Sequence, residues 1–330
     1  MNDGVAPSGS GARSTPRSGW RGAVRLLLFG VGVVAVGWFV RRAGASEVID
    51  LLAGTVRWLP LLVFLELAFV GADVVSLQWL LGDEGRKVPA RTWVRSALLA
   101  YSSMILVPAG RAGGEIVRGA MLGRHVGHVT AAVSALRLQG VTSWGNAAVS
   151  LVCAAVIAAC FGVARPLVAL VALNAVIMGG LGALFVLGSR HPRVRAWLAA
   201  RARVDPSELE RLPGTSLRGP LLLSFGGRLA QTLFFGVLVL AVGGTSGVGA
   251  GFSAQGIHLV GAGLGDFVPN QAGVNEGAFA MLAPHFGWTG AVAIAIPLLH
   301  RATQVLLAVA ALMSGALIGR RVRAARSSVC

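Results

Sequence analysis

Long apolar stretches, separated by short segments rich in charged and small residues, make up most of this chain. Most of the stretches approach or exceed the roughly 20 apolar residues that a helix needs to cross a bilayer. The pattern therefore predicts an all-α polytopic membrane protein. The eight apolar stretches are 23–41, 58–81, 96–107, 129–161, 167–188, 219–243, 252–268 and 288–319.

The composition agrees with lipid as the solvent. Hydrophobic residues make up 55% of the 330 residues and charged residues only 13%, whereas soluble domains carry roughly 25% charged residues. A net charge of +16 would indicate nucleic acid in a soluble protein. Here the arginines cluster between apolar stretches, as the positive-inside rule expects of cytoplasmic loops. We predict a lipid bilayer as the environment and no nucleic-acid partner.

One transmembrane domain is predicted over 21–320, between a disordered basic N-terminal tail (1–20) and a basic cytoplasmic tail (321–330). The first apolar stretch is followed by "RR", where a signal peptide would have a small-residue cleavage site, so it is predicted to be an uncleaved helix. The three cysteines show no metal-ligand spacing. Cys153 and Cys160 lie about 10 Å apart along one helix, too far for a disulfide. We expect no metal and no cofactor.

The basic segments decide how many stretches cross the membrane. If all eight crossed, the arginine-rich linker 189–218 would lie outside, against the positive-inside rule. If 96–123 and 252–284 are instead re-entrant hairpins, which enter and leave on one side, about six helices cross. Both termini and the linker then lie in the cytoplasm, in a multi-pass protein of the cytoplasmic (inner) membrane. The segment 41–57 falls outside with a small positive excess, which counts against this topology.

The same topology predicts an inverted repeat. Repeat one is 58–161 and repeat two is 219–319, and each consists of a helix, a hairpin and a second helix. Many transporters with this plan place their site near the bilayer midplane. "AML" recurs after each hairpin tip. The other landmarks are Pro108 with Pro269 and Glu115 with Glu276, each pair 161 residues apart.

The predicted hairpin tips are "PAGRAGGEIVRG" (108–119) and "PNQAGVNEG" (269–277). Non-helical backbone inside a bilayer survives only where it is buried or faces water. A proline ends each inbound half-helix, and small residues such as Gly113, Gly114 and Gly273 allow a close return. The outbound half-helices are expected to begin near Glu115 and Asn275, where free N–H groups favour an anion. The alternative is that both tips are ordinary loops at the membrane surface.

Several charged residues fall inside apolar stretches, where each costs about 2.5–3.5 kcal/mol and should therefore face the bundle interior. Arginine exceeds acid around the first tip, which includes Arg111 and Arg118, and this excess suits an anionic head group. The alternative is that the ion pairs only hold helices together. The predicted pairs are Asp73 with Arg228, Glu115 with Arg137, and Glu276 with Arg301.

These segments resemble a known family. "FVPNQAGVNEGAFAML", "VPAGRAGGEIVRGAMLGR" and "LLHRATQ" are similar to motifs of the lysylphosphatidylglycerol synthase transmembrane-region family, over roughly 20–320. The resemblance implies a flippase-like protein. In this sequence Asn270 and Gln271 replace a glycine pair, and Asn275 stands where a basic residue or glycine is common, which leaves the head group open. The resemblance implies roles for Pro108, Gly113, Gly114, Glu115, Arg118, Pro269, Gly273, Glu276 and Arg301.

The leading hypothesis is a transporter that moves a phospholipid or polyprenyl-type glycolipid head group through a polar cleft between the hairpins. Alternatives are a membrane enzyme or accessory subunit acting on a lipid-linked substrate, and an ion-coupled carrier of a small anion with Glu66 and Asp73 as proton sites. No nucleophile–base set or acidic pair is evident, so no catalytic residues are predicted. The soluble aminoacyl-transferase domain of fused members is absent from these residues, so a separate lipid-modifying enzyme is a possible partner. The predicted substrate-binding residues are Pro108, Arg111, Gly113, Gly114, Glu115, Arg118, Arg137, Pro269, Gly273, Asn275, Glu276 and Arg301, with Asp73 and Arg228 as a supporting ion pair.

Overall fold

A computed structural model describes residues 19–106, 110–163, 165–202, 216–244, 247–265, 271 and 273–327. These residues form thirteen α-helices and two 3-10 turns, with no strand among them, which confirms the all-α class. The helices are α1 (Gly19–Ala43), α2 (Ala45–Gly54), α3 (Leu59–Leu81), α4 (Asp83–Arg86), α5 (Ala90–Leu106), α6 (Gly110–Val126), α7 (His128–Phe161), α8 (Pro166–Arg190), α9 (Pro192–Ala202), α10 (Arg218–Ala241), α11 (Val248–Gly265), α12 (Val274–Leu282) and α13 (Gly290–Ser327).

Five helical segments within the described residues are long and apolar enough to cross a membrane. They correspond to five of the six predicted crossings, and the remaining one, 23–41, falls within the 25-residue helix α1. The chain is therefore a polytopic membrane protein. The five segments are Val56–Leu81, His128–Phe161, Pro166–Arg190, Arg218–Ala241 and Gly290–Gly315.

The helices of the two predicted hairpins are shorter than the crossing helices. Helices α5 and α6 have 17 residues each and α11 has 18, whereas α12 has only 9. At 1.5 Å per residue, α12 is about 13 Å long, less than half of a hydrocarbon core of about 30 Å. Helix α12 is too short to cross a bilayer by itself.

Three segments are more helical than their sequence predicts. The predicted outside loop 41–57 contains α2, and the linker 189–218 contains the basic helix α9. The predicted tail 321–330 is helical as far as Ser327. Each of these helices is short or polar, so a search for apolar runs does not detect it.

Small residues allow the helices to approach closely, as is common in membrane bundles. A Cβ atom on Gly251 of α11 would lie 3.0 Å from the Cα of Gly236 on α10. A Cβ atom on Gly227 of α10 would lie 2.9 Å from the Cβ of Ala72 on α3. The main core lies among α3, α7, α8 and α10–α13, where Phe234, Phe235 and Phe279 are fully buried.

Packing between the two predicted repeats is largely reciprocal. Helix α3, which begins repeat one, packs along α10, which begins repeat two. We call the helix pair α5–α6, in the predicted hairpin 96–123, hairpin one, and the pair α11–α12, in the predicted hairpin 252–284, hairpin two. Helix α5 packs on α13, and its counterpart α11 packs on α7. The predicted inverted repeat would produce such an exchange of partners, and the repeat itself stays a prediction.

Candidate functional site

The N-terminus of α12 carries a buried ion pair to the next helix. Arg301 of α13 places Nη2 3.0 Å from Oε1 and 3.3 Å from Oε2 of Glu276, whose side chain is fully buried. The backbone N–H of Gly273 donates to Glu276 Oε2 at 2.9 Å. Glu276 therefore closes one half of a capping box at the third helical position, where a carboxylate is favoured by the helix dipole. The predicted Glu276–Arg301 pair and the predicted start of this helix are confirmed.

The chain turns sharply into α12. Gln271 has φ 53° and Gly273 has φ 81°, both in the left-handed region that favours glycine. Asn275 donates from Nδ2 to Gln271 Oε1 at 3.2 Å, and the same nitrogen lies 3.2 Å from His258 Nδ1 on α11. A Cβ atom on Gly261 of α11 would collide with Asn275 Oδ1. The absence of a side chain at Gly261 therefore leaves space for Asn275 between the two arms of hairpin two.

Two buried histidines connect hairpin two to α13. The rings of His258 and His300 lie 4.9 Å apart between centroids and meet at a right angle. Both rings pack against Phe235 of α10, at 4.7 and 5.0 Å. His300 immediately precedes Arg301, so α13 contacts hairpin two through both residues.

A second polar contact joins hairpin one to the same helix. Tyr101 of α5 donates its hydroxyl to Glu66 Oε1 at 3.0 Å, and Gln304 of α13 donates to the same oxygen at 3.4 Å. Glu66 lies in α3 and is 1% exposed. Tyr101 is the only tyrosine in the chain. The Glu66 carboxylate thus connects three helices: α3 of repeat one, α13 of repeat two, and α5 of hairpin one.

A third polar group lies on α10. Arg228 donates to Gln231 Oε1 at 2.9 Å, and Gln255 of α11 donates to the same oxygen at 3.4 Å. The Arg228 guanidinium also lies over the ring of Phe69 of α3, 4.9 Å from its centroid. A buried arginine therefore joins α3, α10 and hairpin two.

The three groups form one continuous system. Gln304 follows His300 by four positions and therefore lies on the same face of α13. His258 follows Gln255 by three positions on α11, so the Arg228–Gln231–Gln255 group and the histidines share one face of that helix. We call this system the central polar network. Its members are Glu66, Tyr101, Arg228, Gln231, Gln255, His258, Gln271, Asn275, Glu276, His300, Arg301 and Gln304.

Hairpin one differs from the prediction. Its outbound helix α6 begins at Gly110, not near Glu115, so Glu115 lies in the second turn and not at a free helix N-terminus. The glycines continue the helix because they fit against the inbound arm: a Cβ atom on Gly114 would lie 2.7 Å from the carbonyl oxygen of Ala100. Arg118 pairs with Glu115 within α6, at 3.2 Å.

The remaining predicted residues are resolved to different extents. Pro108, Pro269 and the side chain of Arg111 lie outside the described residues, and Gly113 lies in α6. Arg137 is buried in α7, and its pairing with Glu115 stays a prediction. Asp73 and Arg228 each lie one residue beyond the close contact between Ala72 and Gly227, and their pairing also stays a prediction.

The sequence did not identify several members of the central polar network, including Tyr101, Gln231, Gln255, His258 and Gln304. Their signal is modest: each is a polar residue within an otherwise apolar helix, and some lie three or four positions from another such residue. Among the described residues, no three side chains of His, Cys, Asp and Glu are grouped so as to hold a metal ion. The network brings hydrogen-bond donors and acceptors together inside the helix bundle.

Comparison with known protein families gives a match over most of the chain. The family described as "Lysylphosphatidylglycerol synthase TM region" matches residues 23–311. No curated protein and no solved structure matches the chain. The matched region contains every described member of the central polar network.

Proposed function

The chain belongs to the lysylphosphatidylglycerol synthase transmembrane-region family, and from this premise we propose that it moves a lipid head group across the cytoplasmic membrane. The family places the protein in the bilayer and relates it to anionic lipids. The proposed cargo is a phospholipid or polyprenyl-type glycolipid with an anionic or phosphate-containing head group. Transport, and not catalysis, is the proposed activity.

One observation carries this proposal: the central polar network joins both hairpins through a single face of α13. Tyr101 of hairpin one and Gln304 share Glu66, and one turn away His300 contacts His258 of hairpin two. Isolated polar groups in lipid cost several kcal/mol each, so a chain of them through six helices favours a functional role.

Arg301 is the residue best suited to bind the head group. Its side chain is 20% exposed, whereas its partner Glu276 is fully buried. The guanidinium is thus held on one side by the Glu276 carboxylate, and the side chain as a whole is one-fifth exposed. Arginine binds phosphate through parallel N–H donors. In the proposed mechanism the head group passes from Arg301 along the network while the acyl chains stay in lipid.

The topology in the proposal is an inverted repeat with two re-entrant hairpins. The length of α12, about 13 Å, and the reciprocal packing of α5 on α13 and α11 on α7 support it. Single cysteines at Gly110 and Gln271, in a background lacking Cys153, Cys160 and Cys330, test it by labelling with an impermeant thiol reagent. We expect position 110 to react only from the cytoplasmic side and position 271 only from the other side. The reverse result at either position would contradict it.

The transport assay uses proteoliposomes that contain phosphatidylglycerol with a fluorophore on one acyl chain. An impermeant reductant bleaches the outer leaflet, so bleaching beyond the outer pool reports flipping. We expect Arg301→Gln to slow flipping about tenfold or more, because hydrogen bonds to charged groups contribute about 1.5–3 kcal/mol. Arg190→Gln, an exposed arginine at the end of α8, is the matched control and should leave the rate unchanged.

Two outcomes would contradict the proposal. Equal flipping by purified wild-type protein and by protein-free liposomes, across several anionic lipids, would remove the activity. Chemical conversion of the lipid without any change of leaflet would favour a membrane enzyme.

A further inference from the structure

A groove of about 340 Å³ lies between α3, α5 and α13. The residues that line it recur every three or four positions along α3 and α5, so each helix contributes one face. Every lining residue except Gln78 and Tyr101 is apolar. The volume is at the lower end of the range of ligand sites, about 300–1,000 Å³, and suits one hydrocarbon chain better than a whole lipid.

The groove has the depth of one leaflet. Along α3 it extends from Gln78, near the charged segment that follows this helix, to Leu67. The eleven residue steps from Leu67 to Gln78 span about 16 Å at 1.5 Å per residue, close to half of a hydrocarbon core of about 30 Å. The walls are open to lipid, since Val94 is 51% and Val75 37% exposed.

The two ends of the groove differ in polarity. At the surface end, Arg91 follows the lining residue Ala90 and lies one turn from Val94. No carboxylate among the described residues forms an ion pair with Arg91, whereas Arg86 and Lys87 nearby pair with Asp83 and Glu84. At the inner end, Tyr101 donates to Glu66. The groove thus has a cationic entrance, apolar walls and a polar floor.

We propose that this groove holds one acyl chain of a glycerophospholipid from the leaflet next to the 82–89 segment, with its phosphate beside Arg91. A chain longer than one leaflet, such as a polyprenyl chain, would press apolar carbons against Tyr101 and Glu66, which is unfavourable. As an entry site for cargo the groove rests on the proposed function, since α5 is the inbound arm of hairpin one. Its occupancy by lipid does not depend on transport.

The test is photo-crosslinking in nanodiscs, with phosphatidylglycerol that carries a diazirine at the end of one acyl chain and peptide mapping by mass spectrometry. Gly71→Phe blocks the groove: Gly71 lines it, and a Cβ atom there meets no other atom within 4 Å. Gly226→Phe is the matched control, an exposed glycine of α10 whose Cβ also meets open space. Ala97→Leu, on the opposite wall, replaces Gly71→Phe if that variant does not fold.

We expect labelling of α3 and α5 in the wild type. In Gly71→Phe this labelling should fall about tenfold, because the phenylalanine ring occupies the space in which the acyl chain buries its surface. Gly226→Phe should leave the labelling unchanged. Labelling spread evenly over lipid-facing helices and unchanged by Gly71→Phe would overturn the groove. Stronger labelling by a diazirine polyprenyl phosphate, lost in Gly71→Phe, would overturn the choice of chain.

Flipping is measured on the same variants so that the two proposals fail separately. Specific labelling without any flipping would support the acyl-chain groove and contradict the proposed transport function. If labelling is unspecific and Gly71→Phe does not slow flipping, the transport proposal stands and the groove proposal is contradicted.

Discussion

The two hairpins share sequence landmarks but are held in place differently. In hairpin two, Glu276 is fully buried at the start of a nine-residue helix, and its ion pair reaches Arg301 on another helix. In hairpin one, Glu115 lies in the second turn of a 17-residue helix, is 33% exposed, and pairs with Arg118 of the same helix. Equal spacing in sequence has therefore not produced equal surroundings.

This difference separates two tasks within the proposed transporter. Hairpin two is fixed to the bundle by Arg301, by the two histidines and by Gln255, so it suits a site that keeps its geometry. The arms of hairpin one pack on each other, and α5 is also joined to the bundle through Tyr101 and Glu66, but α5 borders the apolar groove as well. We infer that a lipid approaches along hairpin one and that its head group is held at hairpin two.

The largest expected effect comes from breaking the Glu276–Arg301 pair. Glu276→Gln or Arg301→Gln alone should lower the free energy of unfolding by about 3 kcal/mol, because each leaves a charge without its partner in the interior. Titration of the detergent-solubilised protein with sodium dodecyl sulfate measures the loss.

The double variant Glu276→Gln/Arg301→Gln separates stability from transport. It should recover most of the lost stability, since replacing both charges of a buried ion pair with uncharged residues often changes the stability little. It should not recover flipping if Arg301 binds the head group. Recovery of both properties would show that the pair only holds helices together.

The next effect tests the close packing of the arms of hairpin one. Gly114→Ala should destabilise the protein by about 1–3 kcal/mol, because the added methyl group meets the Ala100 carbonyl oxygen and backbone must move. Gly119→Ala, in the same helix but with open space around its Cβ, should be neutral or stabilising by up to about 1 kcal/mol. Thermal denaturation followed by circular dichroism compares them. Equal effects would mean that the arms are not in close contact.

A smaller loss is expected from Tyr101→Phe. The change removes the hydroxyl that donates to Glu66, and a buried acceptor that loses a donor costs about 1–3 kcal/mol. Gln304 still donates to the same oxygen, so the loss should fall at the lower end. A double-mutant cycle with Glu66→Gln measures the coupling. Additive effects of the two changes would show that the contact contributes nothing to stability.

The sequence predicted helices well where apolar runs are long and poorly where helices are amphipathic. The structure places α3 and α10 within a few residues of the predicted 58–81 and 219–243. Helix α5 begins at Ala90, six residues before the predicted start. The prediction missed these first turns because they carry Arg91 and Arg95 and contain no apolar run. The glycine-rich start of α6 indicates a turn when only its residue types are considered, and contact with α5 makes it helical.

The site was predictable only where its partners lie close in sequence. Glu276 leads through α12 directly to α13, so its partner Arg301, 25 positions later, could be inferred. Gln304 lies 238 positions from Glu66, and Tyr101 lies 35 positions from it in a different helix. Such contacts depend on how α3, α5 and α13 pack, which hydrophobic periodicity does not specify. A lone polar residue in an apolar helix is the signal that remains.

The smallest expected effect makes the comparison of the hairpins direct. Arg118→Gln removes the Glu115–Arg118 ion pair, as Arg301→Gln removes the Glu276–Arg301 ion pair. Arg118 and Glu115 are three positions apart on one helix, and their side chains are 12% and 33% exposed. Such a pair stabilises a protein by about 0–1 kcal/mol, so the loss should be well below that of Arg301→Gln under the same dodecyl sulfate titration. A loss as large as that of Arg301→Gln would show that Arg118 holds hairpin one as firmly as Arg301 holds hairpin two. Hairpin one would then be a second fixed site, and the proposed path of the lipid along it would be wrong.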